Sequence, residues 1–279
     1  MKQLLFVSLL AAPLFATAQE LPQPSPAGKV EQIVGLTKVT VEYSRPSAKG
    51  RKIFGDLVPY GKVWRTGANR CTMFETSGPI KVEGQDLPAG IYSLFTIPSE
   101  DTWVFIFNKD TALWGEEDRK DEMDALRVKV SRGKTEAVET FTIGFDAVKD
   151  DHARMELSWE NMLVGVDLYA DATEPALANI KKALADPKAT FGAYHGSARF
   201  CLDRNIQLQD ALTWAGKSVS MERKYWNTHT YARALAANGK TKEAIAAAEE
   251  SMKLAQEAKA EAYVKMNKEK IEEWMKTGK

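Results

Sequence analysis

Residues 154–175 read RMELSWENMLVGVDLYADATEP, and this stretch decides the fold class. Met155, Leu157 and Trp159 alternate with Arg154, Glu156 and Ser158, and Met162, Val164, Val166 and Leu168 resume the pattern after a Glu160-Asn161 turn signal. Successive strand side chains point to opposite faces, so a period of two marks a half-buried β-strand. The pattern then stops. Thr173 can cap a helix, and Pro175 falls in a first helical turn, where its missing N–H is harmless. Beyond it the apolar period is 3.6. The boundary at Ala172 to Pro175 therefore predicts an α+β chain of two domains, β at residues 29–171 and helical at residues 172–279.

Upstream, Val39, Val41 and Tyr43 alternate with Lys38, Thr40 and Glu42, and Phe141, Ile143 and Phe145 with Thr140, Thr142 and Gly144. Ile91 to Ile97 and Trp103 to Phe107 are more apolar throughout, as expected of central strands covered on both faces. Turn signals at Glu83-Gly84-Gln85, Pro88-Ala89-Gly90 and Pro98-Ser99-Glu100-Asp101 separate them. Eight to ten short strands without helices between them predict an antiparallel β-sandwich of jelly-roll-like or related type. The charge run GEEDRKDEMD at 115–124 lacks the spacing of a calcium loop and reads as a solvated loop or short surface helix.

Downstream, helices are expected at about 176–185, 189–204, 207–219, 222–237, 241–256 and 260–276. NIQLQDALTWAGKSVS from Asn205 aligns without gaps on NGKTKEAIAAAEESMK from Asn238, a shift of 33 residues. That period and the small residues Ala232, Gly239, Ala244 and Ala248 fit stacked tetratricopeptide-like hairpins that could engage a protein partner. The consensus tryptophan and proline are missing, so a plain helical bundle stays open.

Residues 1–18 read as a secretory signal peptide: Lys2, an apolar run from Leu4 to Phe15, and a small-residue cleavage site at Ala16-Thr17-Ala18. The run is shorter than the roughly 20 residues of a membrane span, and no later span is present. The protein is expected to be exported, periplasmic or secreted, with a flexible leader at residues 19–28 before the sandwich.

Composition narrows the function. Lys plus Arg equals Asp plus Glu, 38 against 38, which argues against a nucleic-acid partner. Cys71 and Cys201 lack CxxC partners, so a redox motif or paired-cysteine zinc site is out. Two separate buried thiols are the simpler expectation, with a bridge between the domains as the alternative. His152, His195 and His229 are not spaced as a helical metal pair, and no phosphate loop, dinucleotide fingerprint or GxSxG elbow is present. No cofactor, metal or catalytic residue is therefore assigned.

One asymmetry remains. Tyr43 to Asn69 reads YSRPSAKGRKIFGDLVPYGKVWRTGAN. From Arg45 to Arg70 there are seven basic residues and one acid, Asp56, interleaved with Phe54, Tyr60 and Trp64. Guanidinium forks suit carboxylate or phosphate, and rings offer a stacking face. The candidate ligand-binding residues are Arg45, Lys49, Arg51, Tyr60, Trp64, Arg65 and Asn69. The alternative is a lid: Phe54, Leu57, Val58 and Trp64 would plug the core, and the arginines would pair with acids from elsewhere.

YSRPSAKGRKIFG, LVPYGKVWRTGAN and LPAGIYSLFTIP, with Trp103 and Asn108, resemble an exported bacterial family, domain-of-unknown-function family 2911. The likeness spans roughly residues 29–170 and is tightest at Ser44-Arg45-Pro46, Lys49-Gly50-Arg51, Val63 to Asn69 and Pro88 to Tyr92. It implies this domain plan, often with a helical tail, and no activity. Arg70-Cys71 departs from the acidic and small residues that the resemblance leads one to expect. The reading is a non-enzymatic binding protein for an anionic or glycan-like ligand. A cell-envelope hydrolase with acid and base groups gathered around the same loop, and a purely structural protein, are the alternatives.

Overall fold

The computed structural model describes residues 21–277; the stretch expected to be a signal peptide, residues 1–18, lies outside them. The chain divides into two compact units, one up to Ala172 and one from Thr173. The architecture is α+β, with antiparallel sheets first and six helices after.

The first unit has two sheets. One runs β1 (Ala27–Val34), β2 (Thr37–Ser44), β3 (Thr72–Thr76), β6 (Gly90–Ile97), β7 (Thr102–Asn108) and β8 (Asp124–Ser131) in that spatial order. The other runs β5 (Gln85–Leu87), β4 (Ile80–Val82), β10 (His152–Tyr169) and β9 (Gly133–Lys149). One core draws on both: Val39, Val41, Phe74, Leu94, Phe105 and Phe107 from the first sheet, and Phe141, Ile143, Met155, Leu157, Val164 and Val166 from the second. The end of the expected leader is strand, because Ala27 and Gly28 pair with Ser44 and Tyr43.

The Glu160-Asn161 turn signal is corrected. β10 runs through it as one 18-residue strand, with register shifts between Ser158 and Glu160 and between Glu160 and Met162. Ala153, Met155, Leu157 and Trp159 face inward before this point, and Met162, Val164, Val166 and Leu168 after it. The inward set changes from odd to even positions because a bulge inserts a residue and re-aims the chain. Glu160, at φ 51°, occupies that irregularity.

The more apolar strands β6 and β7 are covered on both faces. Leu94, Phe105 and Phe107 face the main core. Phe95 and Ile106, paired across the strands, face a small outer cluster with Cys71 and Leu113. Side chains from two long connections supply that cover: Val63 and Cys71 from 45–71, and Leu113 from 109–123. The charge run of the second connection holds a short 3-10 helix at Asp121–Met123.

The second unit comprises α1 (Thr173–Leu184), α2 (Phe191–Arg204), α3 (Leu208–Met221), α4 (Tyr225–Ala237), α5 (Thr241–Glu257) and α6 (Glu261–Thr277). Alanines at 211, 215, 244 and 248 are buried, which lets neighbouring helices approach closely. Ser218 and Ser251, themselves 33 residues apart, play matching roles: Ser218 Oγ donates to the Phe191 carbonyl at 2.8 Å and Ser251 Oγ to the Tyr225 carbonyl at 2.6 Å. Phe191 and Tyr225 open α2 and α4, so the α2–α3 hairpin repeats in α4–α5. Among the described residues no helix is long and apolar enough to cross a membrane.

Two histidines should make this unit acid-sensitive. Burial pushes His195 down to about 4, with Arg199 adding to the effect. Burial also lowers His229, whose Nδ1–H donates to Asn267 Oδ1 at 2.8 Å. Below about pH 6.5 the unfolded chain takes up protons that the folded unit refuses, so stability falls as pH falls from there toward 4. Helix melting followed by circular dichroism should show a lower midpoint at pH 5 than at pH 7.5. A His195→Gln, His229→Gln variant should show a much flatter dependence; an equally steep one would assign the effect to other groups.

Candidate functional site

The basic, aromatic connection between β2 and β3 is a plug and a cleft wall at once. Its plug is anchored by the bulge. Glu160 Oε1 accepts from the Ile53 backbone N–H at 3.1 Å, and Oε2 from that of Phe54 at 3.3 Å. Ile53, Phe54 and Val58 are buried. Gly55 sits at φ 85° with the Tyr60 ring so close that an added Cβ would lie 2.8 Å from Cε2. Glycine suits that position for both reasons.

Trp64 completes the plug. Its ring is 8% exposed. It stacks on Trp159 at 6.0 Å and 20°, and meets Phe141 at 5.2 Å and Phe54 at 6.0 Å edge-on. Its Nε1–H donates to the Gly67 carbonyl at 3.1 Å. The indole turns into the sandwich, so its flat face serves the core rather than a ligand. Leu57, expected in the plug, is 48% exposed instead.

The next residues are strained. Thr66 is fully buried at φ 55°, an unusual conformation for a β-branched side chain. It is held by Thr72 Oγ1, which donates to its carbonyl at 2.6 Å, and by a 3.1 Å contact with Thr96 Oγ1. Such conformations persist where their surroundings over-determine them, and they cluster at ligand sites. Asn69 follows at φ 58°, its Nδ2 donating to the Ser25 carbonyl and Ser44 Oγ.

A cleft of about 340 Å³ opens beside this strained segment. Arg51, Arg65 and Asn69 line it, together with Leu57, an edge of Trp64, and Glu116 from the second connection. Arg51 is positioned by Nε on the Ala48 carbonyl and Nη2 on the Ser47 carbonyl. Arg65 is positioned by Nε on Glu116 Oε2 at 3.1 Å and Nη1 on the Asn69 carbonyl. Each guanidinium is thus oriented by the protein, while Arg51 Nη1 and Arg65 Nη2 make no hydrogen bond among the described residues.

The other three candidates stand outside this cleft. Arg45 is drawn along β9, with Nε on the Phe141 carbonyl and Nη2 on Thr142 Oγ1. Lys49 is exposed, and its backbone N–H meets Glu139. Tyr60 packs half-buried against the core. The acids expected to neutralise the loop are mostly not there. Arg45, Arg51 and Arg70 bond to carbonyl or hydroxyl groups, and among the described residues none meets a carboxylate at ion-pair distance. The local positive field therefore persists.

Sequence reasoning missed Glu116 and Trp159. The available signals were the acidic run facing a basic one, and the inward phase of Trp159 beside Met155 and Leu157. Both cysteines are free and buried. Burial raises the Cys71 thiol to about 11, which keeps it protonated and unreactive. Among the described residues, no group of three or more His, Cys, Asp or Glu side chains could hold a metal ion.

The chain belongs to the family described as protein of unknown function (DUF2911), whose model matches residues 25–168, just over half of the chain. The match spans the sandwich and includes every residue named above as lining the cleft. No curated protein and no solved structure matches the chain.

Proposed function

We propose that this member of the family is a non-enzymatic, exported binding protein whose cleft beside residues 51–69 takes an anionic or glycan-like ligand. One observation carries the reading: Arg51 and Arg65, each oriented through two of its N–H groups, line an open cleft with further N–H groups unused. Preorganised forks of this kind match a carboxylate or phosphate at little entropic cost. The cleft is at the small end of ligand pockets. Among the described residues Glu116 is the one carboxylate lining it, and it is engaged by Arg65. A hydrolase needs an acid and a base on either side of the scissile bond, so the lining residues favour binding over catalysis. Export rests on the composition of residues 1–18, and a protein partner for the helices on the repeated, tetratricopeptide-like hairpins.

A thermal-shift screen with small carboxylates, phosphates and sugars tests the reading. A ligand at 100 times its dissociation constant should stabilise the fold by about 2.7 kcal/mol. An Arg51→Ala, Arg65→Gln variant that keeps its circular dichroism spectrum should lose most of that shift. An unchanged shift in the variant, or no shift with any compound, would count against the site.

A further inference from the structure

We propose that the ligand of this cleft is an acidic oligosaccharide, and that Trp114 is the platform on which one of its sugar rings stacks. This deepens the reading above and rests on it.

The starting observation is an indole placed against its own hydrophobicity. Trp114 is 68% exposed, while the next residue back, Leu113, is 6% exposed in the outer cluster with Cys71, Phe95 and Ile106. The backbone on either side is clamped. The Asp110 carbonyl accepts from Ser93 Oγ and the Thr111 carbonyl from Arg70 Nη2, both at 2.8 Å. The Gly115 carbonyl accepts from Cys71 Sγ at 3.4 Å, and Glu116 holds Arg65. The ring is therefore held out by a fixed main chain, which lowers the freedom lost when something packs on it. Exposed tryptophan in such a setting is more informative than an exposed leucine, because its large amphipathic face is the common anchor of binding surfaces.

Its place supplies the chemistry. A Cβ built on Gly115 would lie 3.4 Å from Arg65 Cζ, and Glu116 lines the cleft. Trp114 is one and two residues from them, and consecutive Cα atoms are about 3.8 Å apart. The main chain that carries the exposed indole thus passes beside Arg65 and Glu116, at one side of the cleft. A pyranose presents an apolar C–H face to a ring and hydroxyls to Asn69 and Glu116. A carboxylate on the sugar matches a guanidinium fork. Arg51 and Arg65 less Glu116 leave one net positive charge in the lining, which suits one carboxylate better than a doubly charged phosphate. A neutral sugar would leave the forks idle, and a bare anion would leave the indole idle. Because Trp114 lies outside the cleft lining, engaging both needs more than one sugar ring.

The test is calorimetric titration of the full mature chain with galacturonate, an α-1,4-linked galacturonate trisaccharide and the corresponding neutral galactose trisaccharide. The acidic trisaccharide should bind at least tenfold more tightly than either of the others. Trp114→Ala should weaken the acidic trisaccharide about tenfold, the scale of one aromatic stacking contact with its buried area. The same change should leave galacturonate within twofold and the melting temperature unchanged. The Arg51→Ala, Arg65→Gln variant should weaken all acidic ligands. If Trp114→Ala matches wild type on the trisaccharide while the arginine variant loses galacturonate, the platform is overturned and the anion site stands. If the neutral trisaccharide binds as well as the acidic one, the acidic class is overturned. If none of the three binds, the inference is overturned, and the thermal-shift screen decides separately whether the cleft takes another anion.

Discussion

Trp64→Ala should destabilise the sandwich by about 4 kcal/mol, the middle of the range for truncating a large buried aromatic. Three costs add. The ring is 8% exposed, so nearly all its apolar area is lost from the core. Its neighbours Trp159, Phe141, Phe54 and Trp103 are themselves packed, the last at 6.4 Å, and cannot collapse fully into the space. The Gly67 carbonyl loses the indole N–H that reaches it at 3.1 Å. Denaturant unfolding followed by near-ultraviolet circular dichroism, compared with the wild-type chain, would measure the change. Trp64→Phe should recover more than half of it, because the hydrogen bond is lost but most of the filling is kept. A loss below about 1 kcal/mol for the alanine variant would show that the ring does not plug the core. The same result bears on function: loss of binding in a Trp64 variant would report unfolding of the cleft wall, so the arginines and Trp114 are the informative positions.

Asp124→Ala should have an effect of similar size, about 3–5 kcal/mol, for a different reason. Arg119 and Asp124 side chains are 6% and 7% exposed and meet at 2.6 Å. Asp124 also accepts from Arg127 Nε at 2.6 Å and from Asn108 Nδ2 at 2.7 Å. Asn108 is fully buried, and its Oδ1 accepts from the Asp110 backbone N–H at 2.9 Å. Removing the carboxylate leaves a buried guanidinium whose other acid, Asp121, is 71% exposed. The network closes both ends of the connection that carries Trp114 and Glu116. Hydrogen exchange across residues 109–120 should therefore rise more than in the rest of the sandwich. Replacing both partners, as in Arg119→Met with Asp124→Leu, should recover much of the stability, because apolar groups of similar volume need no counter-charge. A double variant as unstable as the single one would point to lost packing rather than to the stranded charge.

Much of the fold is legible in single residues. Glu83-Gly84 makes a two-residue hairpin turn between Val82 and Gln85, with both φ values positive, as the handedness of such a turn requires. The more apolar character of β6 and β7 correctly signals cover on both faces. The six helices lie within a few residues of their expected bounds, because their period and end signals are local. The candidate site is less legible. Arg51, Arg65 and Asn69 reach the cleft, whereas Arg45 is taken by β9 and the Trp64 ring by the core. Nothing within the connection distinguishes these fates, since each depends on which surface of the sandwich lies beneath.

By itself, then, the sequence determined the order of elements, the change of period at Ala172 to Pro175, and a positive connection in a neutral chain. Those properties follow from neighbours a few residues apart. Tertiary structure alone decided that the connection is both lid and cleft. Glu160 holds Ile53 and Phe54 from more than 100 residues away, and Glu116 meets Arg65 across 51 residues. Whether a ring faces inward, or a guanidinium keeps an open N–H, is settled by such distant partners, because hydrogen bonds and close packing act through space rather than along the chain.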